Sequence, residues 1–254
     1  MNTTAIIAAI VALIGGWAAG TTITNNDTNA RVEAARTQTL AEAPQAADYV
    51  SLRPEVATLP NETLSEEEIA GLLFMREEEK LARDVYQTLY ETWHIRTFAN
   101  IAQSEQTHTE AVRDLLEKYN LDDPVTDDTI GVFTNETLAN LYIDLVTKGK
   151  QSEVDALIVG ATIEDLDIKD LQEQLALTDN ADITLVYENL TRGSRNHLRS
   201  FTKQLTMRGE TYTPQYISAT EYESIVDSAT ETGMGSGTMQ NNQSGRGWGM
   251  GRNR

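Results

Sequence analysis

Leu72, Met75, Glu79, Ala82, Tyr86 and Leu89 recur at steps of three and four. That spacing places side chains on one face of an α-helix. One acidic residue, Glu79, interrupts the line. The pattern predicts a helix over about 66–92, opened by Ser65 with Glu68 three residues on, a capping box. Glu78 shares a second line with Phe74, Leu81 and Val85, so spacing alone leaves Glu78 and Glu79 open as the inward residue. At least one of Glu77, Glu78 and Glu79 is expected to face water.

The same design recurs downstream. A helix over about 98–118, capped by Thr97, carries Glu105 and His108 one turn apart, near the face of Ile101, Ala102 and Val112. A helix over about 151–176 runs through Val154, Leu157, Ile158, Ala161, Glu164, Ile168, Leu171 and Leu175, with Asp167 three residues after Glu164. A helix over about 180–208, opened by Asp179, runs through Ile183, Val186 or Tyr187, Leu190, Ser194, His197 and Phe201. Ser194 and His197 repeat the spacing of Glu105 and His108. Glu188 lies nine residues before His197, on the opposite side of the helix. The short link Trp93–Arg96 makes the first two helices antiparallel neighbours and leaves His94 at a helix end. Residues 119–135, with Asp122, Asp123, Asp127 and Asp128, read as a solvated acidic loop. They lack the alternation and glycine of a calcium loop. A short helix over about 136–148 completes a long crossover. Ser218 and Glu221 open a last short helix.

Outside this region the composition changes. Ile6–Ala19 is almost wholly apolar, short for a span of about 20 residues, so residues 1–20 read as a signal peptide or membrane anchor. That places the remainder outside the cytoplasmic membrane, with membrane contact through the N-terminal segment only. Residues 21–63 read as a flexible linker, 64–228 as the helical domain, and 229–254 as a disordered Gly/Met/Asn/Arg tail. The net charge of -19 argues against nucleic acid as a partner. There is no cysteine, which excludes disulfides, thiolate metal sites and cysteine nucleophiles.

A carboxylate and an imidazole turned toward an apolar interior need a counter-charge, and a cation is the simplest one. Glu79–Tyr86 (EKLARDVY) looks like the first-helix motif of rubrerythrin-type proteins, and Ile101–His108 (IAQSEQTH) resembles their second. Through EEEKLARDVY, SEQTH and GSRNHLRSF, residues 64–226 resemble an uncharacterised archaeal and bacterial branch of the ferritin-like superfamily. The resemblance implies an all-α fold: an antiparallel four-helix bundle with a long crossover and a dinuclear metal centre. Carried over, the ligands fall on Glu79, Glu105, His108, Glu164 and His197. Ser194 stands where the pattern has a glutamate, and Asp167 is the residue placed to compensate. Tyr86 and Ser194 fall beside the centre, Tyr86 as a hydrogen-bond donor, a redox relay or a packed core residue. The cofactor implied is two metal ions, iron first and manganese second. The activity implied is reaction with dioxygen or peroxide, with oxidation of Fe(II) as one form. An external electron donor is required, because the chain has no cysteine site of its own. A dimer is compatible with this reading. The competing expectation is an extracytoplasmic helical binding module that keeps the fold with a partial or lost centre.

Overall fold

The computed structural model describes residues 47–232. Among them are seven helices and no strand, so the fold is all-α. They are α1 (Ala47–Thr58), α2 (Glu66–Trp93), α3 (Arg96–Lys118), α4 (Glu136–Gly149), α5 (Glu153–Leu175), α6 (Ala181–Thr206) and α7 (Ala219–Val226). α3 folds back along α2, and α6 along α5. The two hairpins meet through α3 with α6 and α2 with α5. α4 lies on α2 and α5, α1 on α3 and α6, and α7 on α6.

The helix starts follow local chemistry. Ser65 and Glu68 form the expected capping box, and Ser218 accepts from the Glu221 amide. Two expected caps differ. α3 starts at Arg96 after Ile95, and α6 at Ala181 after Asn180, neither with a side-chain cap. Asn180 instead donates through Nδ2 to Glu68 Oε1 at 2.7 Å, tying the start of α6 to the start of α2. His94 ends α2 in the left-handed region (φ 54°), exposed and edge-on to Tyr90, which turns the chain sharply into α3.

All three of Glu77, Glu78 and Glu79 are buried, against the expectation that one would face water. Every residue from Phe74 to Tyr86 is buried. Outside Glu78 and Glu79, the charged groups there find partners. Glu77 accepts the Thr134 amide at 2.6 Å, just before α4. Lys80 is fully buried, donates to Asp84 at 2.6 Å and to the Thr129 carbonyl at 3.0 Å, and lies 4.4 Å from the Phe133 ring centre. Arg76 pairs with Asp123 at 3.0 Å and Arg83 with Asp128 at 2.7 Å. The loop 119–135 is therefore strapped along α2 by cations and is not simply solvated.

Residues 47–58, inside the stretch expected to be flexible linker, form α1. Tyr49, Leu52 and Val56 face the core. The Tyr49 hydroxyl and Arg53 both donate to Asp114 of α3. Lys118 donates to the carbonyls of Val56 and Leu59, each at 3.0 Å, which caps the C-terminal end of α1. Pro54 removes one backbone donor; the carbonyl it would have met belongs to Val50, an exposed residue. Residues 21–46 lie outside the described residues.

After α6, buried Asp165 accepts the Tyr212 hydroxyl at 2.7 Å and the amides of Gln215, Tyr216 and Ile217. These bonds turn the chain back toward α7. At the end, Glu231 is gripped by Arg195 at 2.5 Å and Arg199 at 2.7 Å, and Asn196 pairs with its backbone. The tail expected from residue 229 is thus fixed as far as Glu231; residues 233–254 lie outside the described residues.

The expected extracytoplasmic location is set aside. Among the described residues no helix is long and apolar enough to cross a membrane. Residues 1–20, which motivated that expectation, lie outside the described residues.

Burial raises the Glu231 pKa, but the two arginines outweigh it and hold it at about 2, below the usual 4.5. A depressed carboxylate stabilises the fold above its ordinary pKa, and the stabilisation fades as pH falls through the folded value. Glu231→Gln should therefore cost about 1 kcal/mol at neutral pH, the scale of a partly exposed ion-pair cluster. The gap from wild type should close between pH 4.5 and 2, as read by urea unfolding across that range.

Candidate metal centre

The four long helices bring the interrupting residues of their apolar faces together. α2 supplies Glu79, α3 Glu105 and His108, α5 Glu164 and Asp167, and α6 Ser194 and His197, all buried. Two triads result: Glu79, Glu105 and His108, and Glu105, Glu164 and His197. Within each, the candidate ligand atoms lie within 4.8 Å of one another. Glu105 belongs to both. Its Oε2 is 2.8 Å from His108 Nδ1 and its Oε1 is 2.8 Å from His197 Nδ1. Glu79 Oε2 is 3.3 Å from His108 Nδ1, and Glu164 Oε2 is 3.4 Å from His197 Nδ1. The two imidazoles stack, with ring centres 5.5 Å apart.

These short separations are not ordinary hydrogen bonds. Both Nδ1 atoms, Glu105 Oε1 and Glu79 Oε1 are buried without a hydrogen-bond partner. Distance says contact and direction says no bond. Buried polar atoms this close together and without partners are ones that a bound cation would satisfy. Asp167 adds a further acceptor. Ser194 donates to its Oδ2, while its Oδ1 is buried and unpartnered.

The electrostatics show what crowding costs without a cation. Burial opposes charge on Glu105, but His197 and His108 outweigh it and hold this carboxyl well below the usual range. Burial lowers the His197 pKa, but Glu105 and Glu164 raise it to about 9. His108 is likewise raised, by Glu105 and Glu79. Burial lifts Glu79 to about 7, with His108 opposing and Glu105 adding repulsion. Burial, then repulsion from Glu79 and Glu164, pushes Asp167 well up. Burial and repulsion thus favour the protonated form of Glu79 and Asp167, and the carboxylates favour that of both imidazoles.

Besides Ser194, a second hydroxyl borders the centre among apolar side chains. Tyr86 donates to Glu164 Oε1 at 2.5 Å and packs its ring against Phe98 and Phe201. Burial, then Glu164, raises its pKa well above the usual value. Of the two residues that spacing left open, Glu79 is in the triad and Glu78 lies beside Asp170. Burial, then repulsion from Asp170, pushes the Glu78 carboxyl well above the usual range, and Asp170 Oδ1 lies 2.9 Å from Lys169 Nζ. Spacing missed this pair, because Asp170 sits beside the apolar line of α5 rather than in it. It also missed Gly193, whose only signal was its place next to Ser194 and whose backbone lies against the His108 ring.

A family model described as "Uncharacterized protein domain (DUF2202)" matches residues 68–229. The chain belongs to the DUF2202 family. It is similar to the uncharacterized protein MJ0754 of Methanocaldococcus jannaschii, 61% identical over 179 residues, which cover 70% of this chain and 97% of that protein. It is also similar to the crystal structure of hypothetical protein MJ0754 from Methanococcus jannaschii. There the TM-score is 0.68 and the identity 61%, over 68% of this chain and 99% of that one. The whole centre lies inside the DUF2202 match, whereas α1 precedes it.

Tyr86→Phe removes the one hydroxyl that Glu164 Oε1 accepts. The metal-free DUF2202 protein should lose about 2 kcal/mol, the scale of a buried hydrogen bond to a charged acceptor, measured by chemical denaturation at neutral pH.

Proposed function

We propose that this chain is a dinuclear-metal protein of the ferritin-like kind that reacts with dioxygen or peroxide, with Fe(II) oxidation as its simplest form. In this reading α2, α3, α5 and α6 are an antiparallel four-helix bundle, and the loop 119–135 with α4 is its crossover. The observation that carries the reading is Glu105, whose two oxygens are divided between two imidazoles at 2.8 Å each. A single buried carboxylate shared in this way belongs between two cations.

The donor set fits two divalent ions. Glu79, Glu105, Glu164 and Asp167 carry four negative charges when ionised, and two divalent ions cancel them. Oxygen-rich positions with one imidazole each suit iron, with manganese next. Glu79 and His108 would hold one ion, Glu164 and His197 the other, and Glu105 would span both. Asp167, steadied on one oxygen by Ser194, keeps its other oxygen free for the centre. It stands in for the glutamate that α6 lacks, which favours a complete centre over a partial one. When bound, the ions supply redox chemistry toward dioxygen or peroxide. The chain's own part is different. Phe98, Phe201 and Ile101 keep water away, and Tyr86 holds a proton against Glu164. With no cysteine in the chain, reducing equivalents come from an external donor.

The test is a metal count. Protein loaded anaerobically with Fe(II) should bind two ions per chain and consume dioxygen on exposure to air. Glu105→Ala should lose both ions, whereas Glu79→Ala and Glu164→Ala should each lose one. One ion or none in the wild type, with no dioxygen uptake, defeats the proposal.

A further inference from the structure

Gly193 sits inside α6, one residue before Ser194. A helix interior disfavours glycine relative to alanine, because glycine gives up more backbone freedom on folding. Several other helical glycines of this fold avoid collisions with packing side chains: Gly71 faces Gln174, Gly149 faces Leu89 and Gly160 faces Phe201. Gly193 differs in what it faces. A Cβ there would lie 2.5 Å from His108 Cε1 and 2.6 Å from His108 Nε2. Both are far shorter than van der Waals contact. The imidazole has little room to retreat. Nδ1, bonded to Cε1, faces Glu105 at 2.8 Å and Glu79 at 3.3 Å, and His197 stacks on the ring, so a shift of Cε1 carries Nδ1 out of place. One methyl group would push the ring off this geometry or force α6 away from α3.

We infer that Gly193 is a positioning residue: by carrying no side chain it reserves the space His108 needs to present Nδ1 to Glu79 and Glu105. The reading rests on the proposed dinuclear centre, and it assigns Gly193 to one half of it. The triad of Glu105, Glu164 and His197 does not meet Gly193. Crowding at 193 should therefore empty one ion position and spare the other.

Two measurements on the full-length chain decide it. The first is binding of Mn(II) alone, counted by equilibrium dialysis and located by anomalous diffraction. Wild type should take two ions. Gly193→Ala should keep the ion at Glu105, Glu164 and His197, and bind at the His108 position about 10–100-fold more weakly, the range for displaced support of a ligand. The second is a double-mutant cycle on metal-free protein. Gly193→Ala should destabilise the wild type. In a His108→Ala background, with the ring gone, it should be neutral or stabilising, as the alanine preference of a helix dictates. Two ions at wild-type affinity in Gly193→Ala, or an equal cost in both backgrounds, overturns the inference. A wild type that binds no Mn(II) counts against the dinuclear reading alone, and the stability cycle still decides the role of Gly193.

Discussion

Like charges held together inside a protein are the constraint on which this structure turns. Glu79, Glu105, Glu164 and Asp167 come from three helices and meet where water cannot screen them. Two imidazoles offset part of the repulsion, and Glu105 is the hinge of the arrangement because it answers to both. The helix contacts serve this meeting. α2 with α3 and α5 with α6 each build one side, and the contacts between hairpins bring the sides to ligand distance. Beyond the carboxylates, Tyr86 and Ser194 act on their orientation, and Phe98 and Phe201 close the apolar wall.

A second layer of ionic contacts fixes the connections. α2 presents Glu79 to the centre on one side. On another it holds the loop 119–135 through Arg76, Lys80 and Arg83, and the start of α4 through Glu77. Asp165 does the same for the return toward α7, and Lys118 for α1. Each is a charged group meeting backbone or an opposite charge in partial or full burial, where such bonds are stronger than in water. Loops held this way leave the hairpins little freedom to slide, which a centre built from single residues on separate helices demands.

Most of the helices were legible in the sequence because their apolar residues recur at three and four. Two candidate ligands were legible because each breaks such a line: Glu79 between Met75 and Ala82, Glu164 between Ala161 and Ile168. His197 followed from the spacing it shares with His108. What spacing could not read was partnership across the fold. Nothing local says that Glu77 meets amides just before α4 or that Lys80 is buried, because those partners lie some fifty residues away. α1 was hidden for another reason. Tyr49, Leu52 and Val56 have helical spacing, but Pro54 and a polar neighbourhood read as linker. Gly193 was invisible because its role is an absence of atoms, which only the position of His108 reveals.

The stretch from Phe74 to Tyr86 has a further consequence. A helix enclosed on every side is ordinarily apolar all round, yet this one is built largely of arginine, glutamate, lysine and aspartate. When the chain is newly made, or transiently opened, this innermost segment presents salt-like, water-loving groups rather than grease. Stickiness in unfolded proteins comes from exposed hydrophobic runs of low charge. Here the middle of the molecule is the part least prone to clump, and the hazard shifts outward to the apolar turns of its companion helices.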